Sequence, residues 1–94
     1  MTITFNVEER EKYTIISFQM DIMSPEDLQN INPPKVDCSK GVILLGRGPI
    51  WLYGYLIHVY HPTKFVATYD PRLQGAVIVE SHTKEYSIGE LIKI

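Results

Sequence analysis

One cysteine, Cys38, is all the chain of 94 residues contains, so no internal disulfide is available to stabilise it. No CxxC pair or Cys/His cluster suggests a structural zinc. Charge of one sign is also scarce: nine Lys+Arg against eleven Asp+Glu leave a formal net charge of −2. A protein that coats long nucleic acid by charge alone needs a basic surface, so that class is excluded, while a small anionic ligand held by a few local donors is not. No long apolar run is present. The most apolar stretch, Ile50–Tyr60, carries Gly54 and His58 and is too short to cross a bilayer. Met1–Asn6 lacks the basic-then-apolar pattern of a secretory signal. These absences together predict a cytoplasmic, reducing location with no membrane association.

What is present is a 45% hydrophobic chain of ordinary globular composition, sized for a single domain over 1–94. A domain this small buries about 60–65% of the surface its unfolded chain exposes. With disulfide and zinc excluded, oligomerisation is the remaining common source of buried surface, which predicts at least a homodimer.

Period-two patterns and turn residues predict strands over Thr2–Val7, Tyr13–Gln19, Gly41–Leu45, Phe65–Tyr69 and Ala76–Glu80. Another short strand is expected within Glu85–Ile94, around a turn at Gly89. Ser24-Pro25-Glu26-Asp27 has a capping residue, a proline at the first helical position and acidic residues in the first turn, so a short helix runs to about Ile31 and stops before Pro33-Pro34. Gly41–Leu45 is uniformly apolar, as in a strand covered on both faces. Ile50–His61 is apolar nearly all round and reads as a largely buried helix, with Gly54 allowing another backbone to approach. Strand, helix and strand from Gly41 to Tyr69 make one βαβ unit with parallel strands, and Phe65–Tyr69 with Ala76–Glu80 make a hairpin. The predicted fold is α/β: a mixed sheet with one main helix, one short helix and a C-terminal hairpin.

Four groups of residues carry candidate chemistry. Gly46-Arg47-Gly48-Pro49 joins a strand to a helix, where glycines let a ligand approach the backbone, unpaired helix N–H groups attract anions and Arg47 offers a planar donor fork for phosphate. It is also what a plain tight turn with a solvated arginine looks like. His58 and His61 are three apart on one helix face; histidine is the usual acid/base near neutral pH and a common metal ligand, though a cation in the last helical turn serves the helix dipole equally well. Asp70-Pro71-Arg72 at a strand end suits a metal-binding or catalytic carboxylate beside a phosphate clamp, or an ordinary turn. Ser81-His82 ends the next strand as ligand contacts or as its polar tip. Cys38 has no neighbour that would activate a thiol.

The ends of the Gly48–His61 segment lie roughly 20 Å apart. A returning parallel strand carries Asp70 back toward the helix start, so Arg47, Gly48, Asp70 and Arg72 share one pole and His61 occupies the other. If they cooperate, a second copy must supply the missing half.

The ordered combination Gly46-Arg47-Gly48-Pro49-Ile50-Trp51-Leu52, His58-Val59-Tyr60-His61, Val66-Ala67-Thr68-Tyr69-Asp70-Pro71-Arg72-Leu73, Gly75-Ala76-Val77 and Ser81-His82 resembles the third family of CRISPR-associated ring nucleases, earlier described as manganese-dependent RNA deadenylases. The resemblance covers about Gly41 to Gly89. It implies an enzyme, a phosphodiesterase that opens cyclic tetra-adenylate and so ends type III antiviral signalling. It implies homodimers that stack on the ring, with the active site spanning two dimers. By motif, His61, Asp70 and Arg72 are the implied catalytic residues. Gly46, Arg47, Gly48 and Pro49 are the implied ligand contacts, with Ser81, His82 and His58 weaker candidates. Asp70 and His61 are the implied holders of Mn²⁺. The attacking group would be the substrate 2′-OH or a metal-activated water, with His61 shuttling a proton and Arg72 countering charge on phosphate. Alternative readings are a manganese-dependent exonuclease acting on poly-A RNA 3′ ends, a sensor that binds the ring without cutting, and a structural dimerisation module.

Overall fold

The computed structural model describes residues 3–94; Thr2, the first residue of the first expected strand, lies outside them. Six strands form a single sheet: β1 (Ile3–Glu9), β2 (Tyr13–Met20), β3 (Gly41–Gly46), β4 (Phe65–Asp70), β5 (Gly75–Ser81) and β6 (Leu91–Lys93). They lie side by side in chain order. β1 and β2 form an antiparallel hairpin, β2, β3 and β4 run parallel, and β5 and β6 return antiparallel. The α/β mixed sheet is therefore as the sequence predicts, with one addition: β2 and β3 form a second parallel pair.

Both parallel connections cross the same face. The segment between β2 and β3 contains a single 3₁₀ turn, Pro25–Gln29, rather than an α-helix. Its start follows the predicted cap chemistry: the Asp27 carboxylate accepts the Ser24 N–H at 2.9 Å, and Pro25 occupies the first helical turn. The connection between β3 and β4 is α1 (Ile50–Val59). Leu52, Leu56 and Tyr60 from α1 and its end pack with Ile31 onto Ile16, Phe18, Val42, Leu44 and Val66 of the sheet. The alternate residues Ile15, Ile43, Ala67, Ala76 and Ile78 face the other way and, with Phe65, form a second cluster beneath Tyr13, Tyr86 and Ile92. β3 is thus covered on both faces, which is why GVILL carries no polar residue.

Two expectations about α1 are corrected. The helix is not largely buried: Ile50 is 90% exposed, and Gly54 and His58 also face outward. A lone helix covers β2–β4 and leaves its own flank uncovered above β5, because the sheet extends two strands beyond it. No other chain segment approaches Gly54 among the described residues; a Cβ there would meet nothing within 4 Å. Gly46 does meet a close approach, since its Cβ would lie 2.5 Å from the Phe18 carbonyl oxygen on β2. In the β4–β5 turn, the left-handed residue is Gln74 (φ 52°) rather than Gly75. Gly75 is instead needed where the chain passes Ile92, whose carbonyl oxygen would lie 2.8 Å from an added Cβ. No helix among the described residues is long and apolar enough to cross a membrane.

Candidate functional site

The sheet register decides which candidate residues meet. β5 pairs with β4 as Ser81 to Phe65 and Glu80 to Val66, but then as Ile78 to Ala67. Val79 is left without a partner, a β-bulge that reverses the inside–outside alternation. Ala76 and Ile78 face the cluster away from α1, so strict alternation would send Glu80 there too. The bulge instead gives Glu80 the same face as its partner Val66, toward α1. The end of that helix places His61 there, and His82 comes two residues after Glu80, just past the end of β5.

His61 Nδ1 lies 3.0 Å from Glu80 Oε1, and His82 Nε2 lies 3.4 Å from the same oxygen. The two imidazoles meet edge to face with centroids 4.7 Å apart. One ligand atom from each of the three residues falls within 4.8 Å of the others. All three keep access to solvent, with side-chain exposures of 58% for His61, 26% for Glu80 and 45% for His82. Two imidazoles and a carboxylate suit a divalent transition ion such as Mn²⁺, and adjacent donors around an ion at about 2.1 Å stand roughly 3 Å apart, close to the separations seen. The donor set therefore fits a metal. Without one, Glu80 orients the His61 ring through Nδ1 and leaves Nε2 for proton transfer.

Asp70 and Arg72 are elsewhere. Asp70 ends β4 opposite Gly75, while the His61 cluster lies beside Phe65 and Ser81 at its start, about 16 Å away along the strand. One Asp70 carboxylate oxygen accepts the Arg72 backbone N–H at 2.9 Å and stands 3.5 Å from Arg72 Nε. The Arg72 side chain is 90% exposed, so the pair holds the turn while the guanidinium stays available. β3 ends at this same pole, which puts the Gly46–Pro49 connection beside the end of the sheet that carries Asp70. Arg47 is exposed and, among the described residues, has no acidic partner. The Tyr53 hydroxyl donates to the Gly46 carbonyl at 2.6 Å and fixes the turn to α1. Burial raises the Tyr53 phenol's pKa.

Of the residues singled out from the sequence, the structure brings His61 and His82 together and keeps both from Asp70, Arg72 and Arg47. His58 is exposed on α1 and is not part of the three-residue cluster. Ser81 supports the fold. Its hydroxyl lies 2.7 Å from the Tyr86 carbonyl and 3.0 Å from that of Thr83, tying down the segment that covers the second core. Pro49 caps α1 through its backbone carbonyl, which accepts from Leu52 N–H at 3.0 Å. Glu80 does not stand out in the sequence; the one signal for it is its position two residues before His82.

The profile of the family described as "CRISPR-associated protein (Cas_csx3)" matches residues 17–93. The chain belongs to this CRISPR-associated family. The match runs from the second half of β2 through β6, and so takes in both poles of the sheet. An "Uncharacterized protein" of Aquifex aeolicus (strain VF5) is 51% identical over 86 residues, covering 85% of this chain and 77% of its own length. Its name states no activity.

Proposed function

We infer that this member of the Cas_csx3 family is a ring nuclease, a phosphodiesterase that linearises cyclic tetra-adenylate. The observation that carries the reading is the exposed His61–Glu80–His82 cluster at one end of a chain whose Asp70, Arg72 and Arg47 stand at the other. Neither pole alone holds a proton-transfer group, a phosphate clamp and an acidic partner. Two copies stacked pole to pole supply all of them to one ring, so the assembly is a homodimer whose dimers stack on the ligand.

In that arrangement His61 accepts the proton of a ribose 2′-OH, whose oxygen attacks the adjacent phosphorus. The P–O5′ bond breaks, the His61 imidazolium returns that proton to the departing O5′, and the products are a 5′-OH and a 2′,3′-cyclic phosphate. Glu80 holds the imidazole in orientation. Arg72 of the other copy lies against the phosphate oxygens that gain charge. In a metal-loaded state His61, Glu80 and His82 would hold Mn²⁺ and Asp70 of the other copy would complete the set; the ion would supply charge neutralisation at phosphate, and His61 would then serve as its ligand rather than as the base.

The test is turnover of cyclic tetra-adenylate with Mn²⁺, resolved by chromatography, for the parent chain, His61→Ala and Asp70→Ala. The expected result is linear product from the parent, loss in each variant and partial recovery when the two variants are mixed, since one copy then supplies His61 and the other Asp70. An intact ring with the parent chain overturns the reading. Tight binding without cleavage would identify a sensor, and faster trimming of a poly-A 3′ end would identify a deadenylase.

A further inference from the structure

The pole that carries Arg47 also holds a cavity of about 480 Å³ on the other side of β3 from Asp70, and it lies over the carboxyl ends of β2 and β3. That is where open α/β sheets accept ligands, because the loops leave the strand ends uncovered there. Its lining follows from the register. Ser17 pairs with Asn6 on one side and with Leu45 on the other, so these three stand in a row across β1, β2 and β3. Gln19 is next along the same face of β2, and Arg47 follows Gly46 at the end of β3. Ile16 and Phe18 face α1, so the Ser17 row faces the opposite way.

Among the described residues, the side chains of Asn6, Ser17, Gln19 and Arg47 have no hydrogen-bond or ion-pair partner. Neutral amides with a hydroxyl are a poor set for phosphate and a good one for the edge of a base. Asn and Gln amides match the paired N6 donor and N7 acceptor of adenine. Leu45 supplies apolar surface for a ring, while Arg47 at the rim supplies the one positive charge for an attached phosphate. No acidic side chain lines the cavity, so nothing there favours the donor edge of guanine or cytosine.

We propose that Asn6, Ser17 and Gln19 form an adenine-reading subsite whose adjoining phosphate lies on Arg47. The inference deepens the ring-nuclease reading and rests on it for the ligand's identity. It assigns base selection to the face of the sheet away from α1 and leaves bond cleavage to the His61 and Asp70 poles.

The experiment is titration of the full chain with AMP, inosine 5′-monophosphate and ribose 5-phosphate, followed by backbone amide NMR, with cyclic tetra-adenylate cleavage assayed separately on the same proteins. AMP should shift Asn6, Gln19 and Arg47 and bind about tenfold or more tighter than inosine 5′-monophosphate, which lacks the 6-amino donor. Asn6→Ala and Gln19→Ala should remove that preference, and Arg47→Ala should weaken both nucleotides alike. These positions are exposed, so the variants should fold. AMP shifts confined to another surface, or equal binding of all three probes, overturn the subsite even if the ring is cleaved. Adenine-selective shifts at this cavity in a chain that leaves the ring intact uphold the subsite and reject the nuclease reading instead.

Discussion

Replacing Glu80 by Gln keeps the size of the side chain and removes the charge shared by His61 and His82. Without metal the change should be nearly silent: partly exposed pairs of this kind contribute about 0.2–1 kcal/mol, and a neutral amide still meets the two rings. With metal the consequence should be large. An ion that binds only the folded chain stabilises it by about 2.7 kcal/mol at a free concentration one hundred times its dissociation constant. In a domain of this size each kcal/mol moves Tm by roughly 4–8 °C, so saturating Mn²⁺ should raise the parent's Tm by roughly 11–22 °C. Losing one of three ligands should erase most of that rise in Glu80→Gln, while both proteins melt within a few degrees of each other in EDTA. Calorimetric melting of both chains with and without Mn²⁺ measures all four values. An equal Mn²⁺ response in the two proteins, or none in the parent, would refute the assignment of the cluster as a metal site.

Other outcomes follow from the core. Tyr60 is 3% exposed, its hydroxyl donates to the Pro34 carbonyl at 2.7 Å, and burial pushes its pKa up to about 12 from 10. The folded state therefore holds this proton more tightly than the unfolded chain, so its contribution is complete below pH 10 and is lost as pH rises through 12; two units correspond to about 2.7 kcal/mol. Denaturant melts between pH 9 and 12 should show this fall, flattened in Tyr60→Phe, which should also lose about 1 kcal/mol at pH 7 with the hydrogen bond. Leu56→Ala, at a fully buried contact between α1 and the sheet, should cost about 2–5 kcal/mol by urea melting. Gly54→Ala should stabilise the isolated chain by about 1 kcal/mol, since the helix gains propensity and the methyl meets nothing within 4 Å. A concentration-dependent loss of stability in that variant would instead locate a second copy on this flank of α1.

Much of the chain's local structure was determined by the sequence itself. The alternation in Tyr13–Gln19, the uniform apolarity of Gly41–Leu45 and the Ser24-Pro25 start each reflect a constraint within a few residues, and each element stands where its pattern indicates. The separation of His61 from Asp70 was equally legible, because helix length and parallel strand direction fix it without side-chain detail. Tertiary structure alone decided the rest. Alternation within AVIVE turns Glu80 away from α1, and only pairing with β4 leaves Val79 over as a bulge and turns Glu80 toward His61. Gly46 looks like a residue kept small for a ligand, yet the Phe18 carbonyl from a strand over two dozen positions earlier is what leaves no room for a side chain. The row Asn6, Ser17 and Leu45 has no common spacing in the chain and exists only through the registers of two strand pairs. Spacing along the chain determines what one element can present, whereas the meeting of elements depends on hydrogen-bond register, and a shift of one residue there exchanges the faces of a strand.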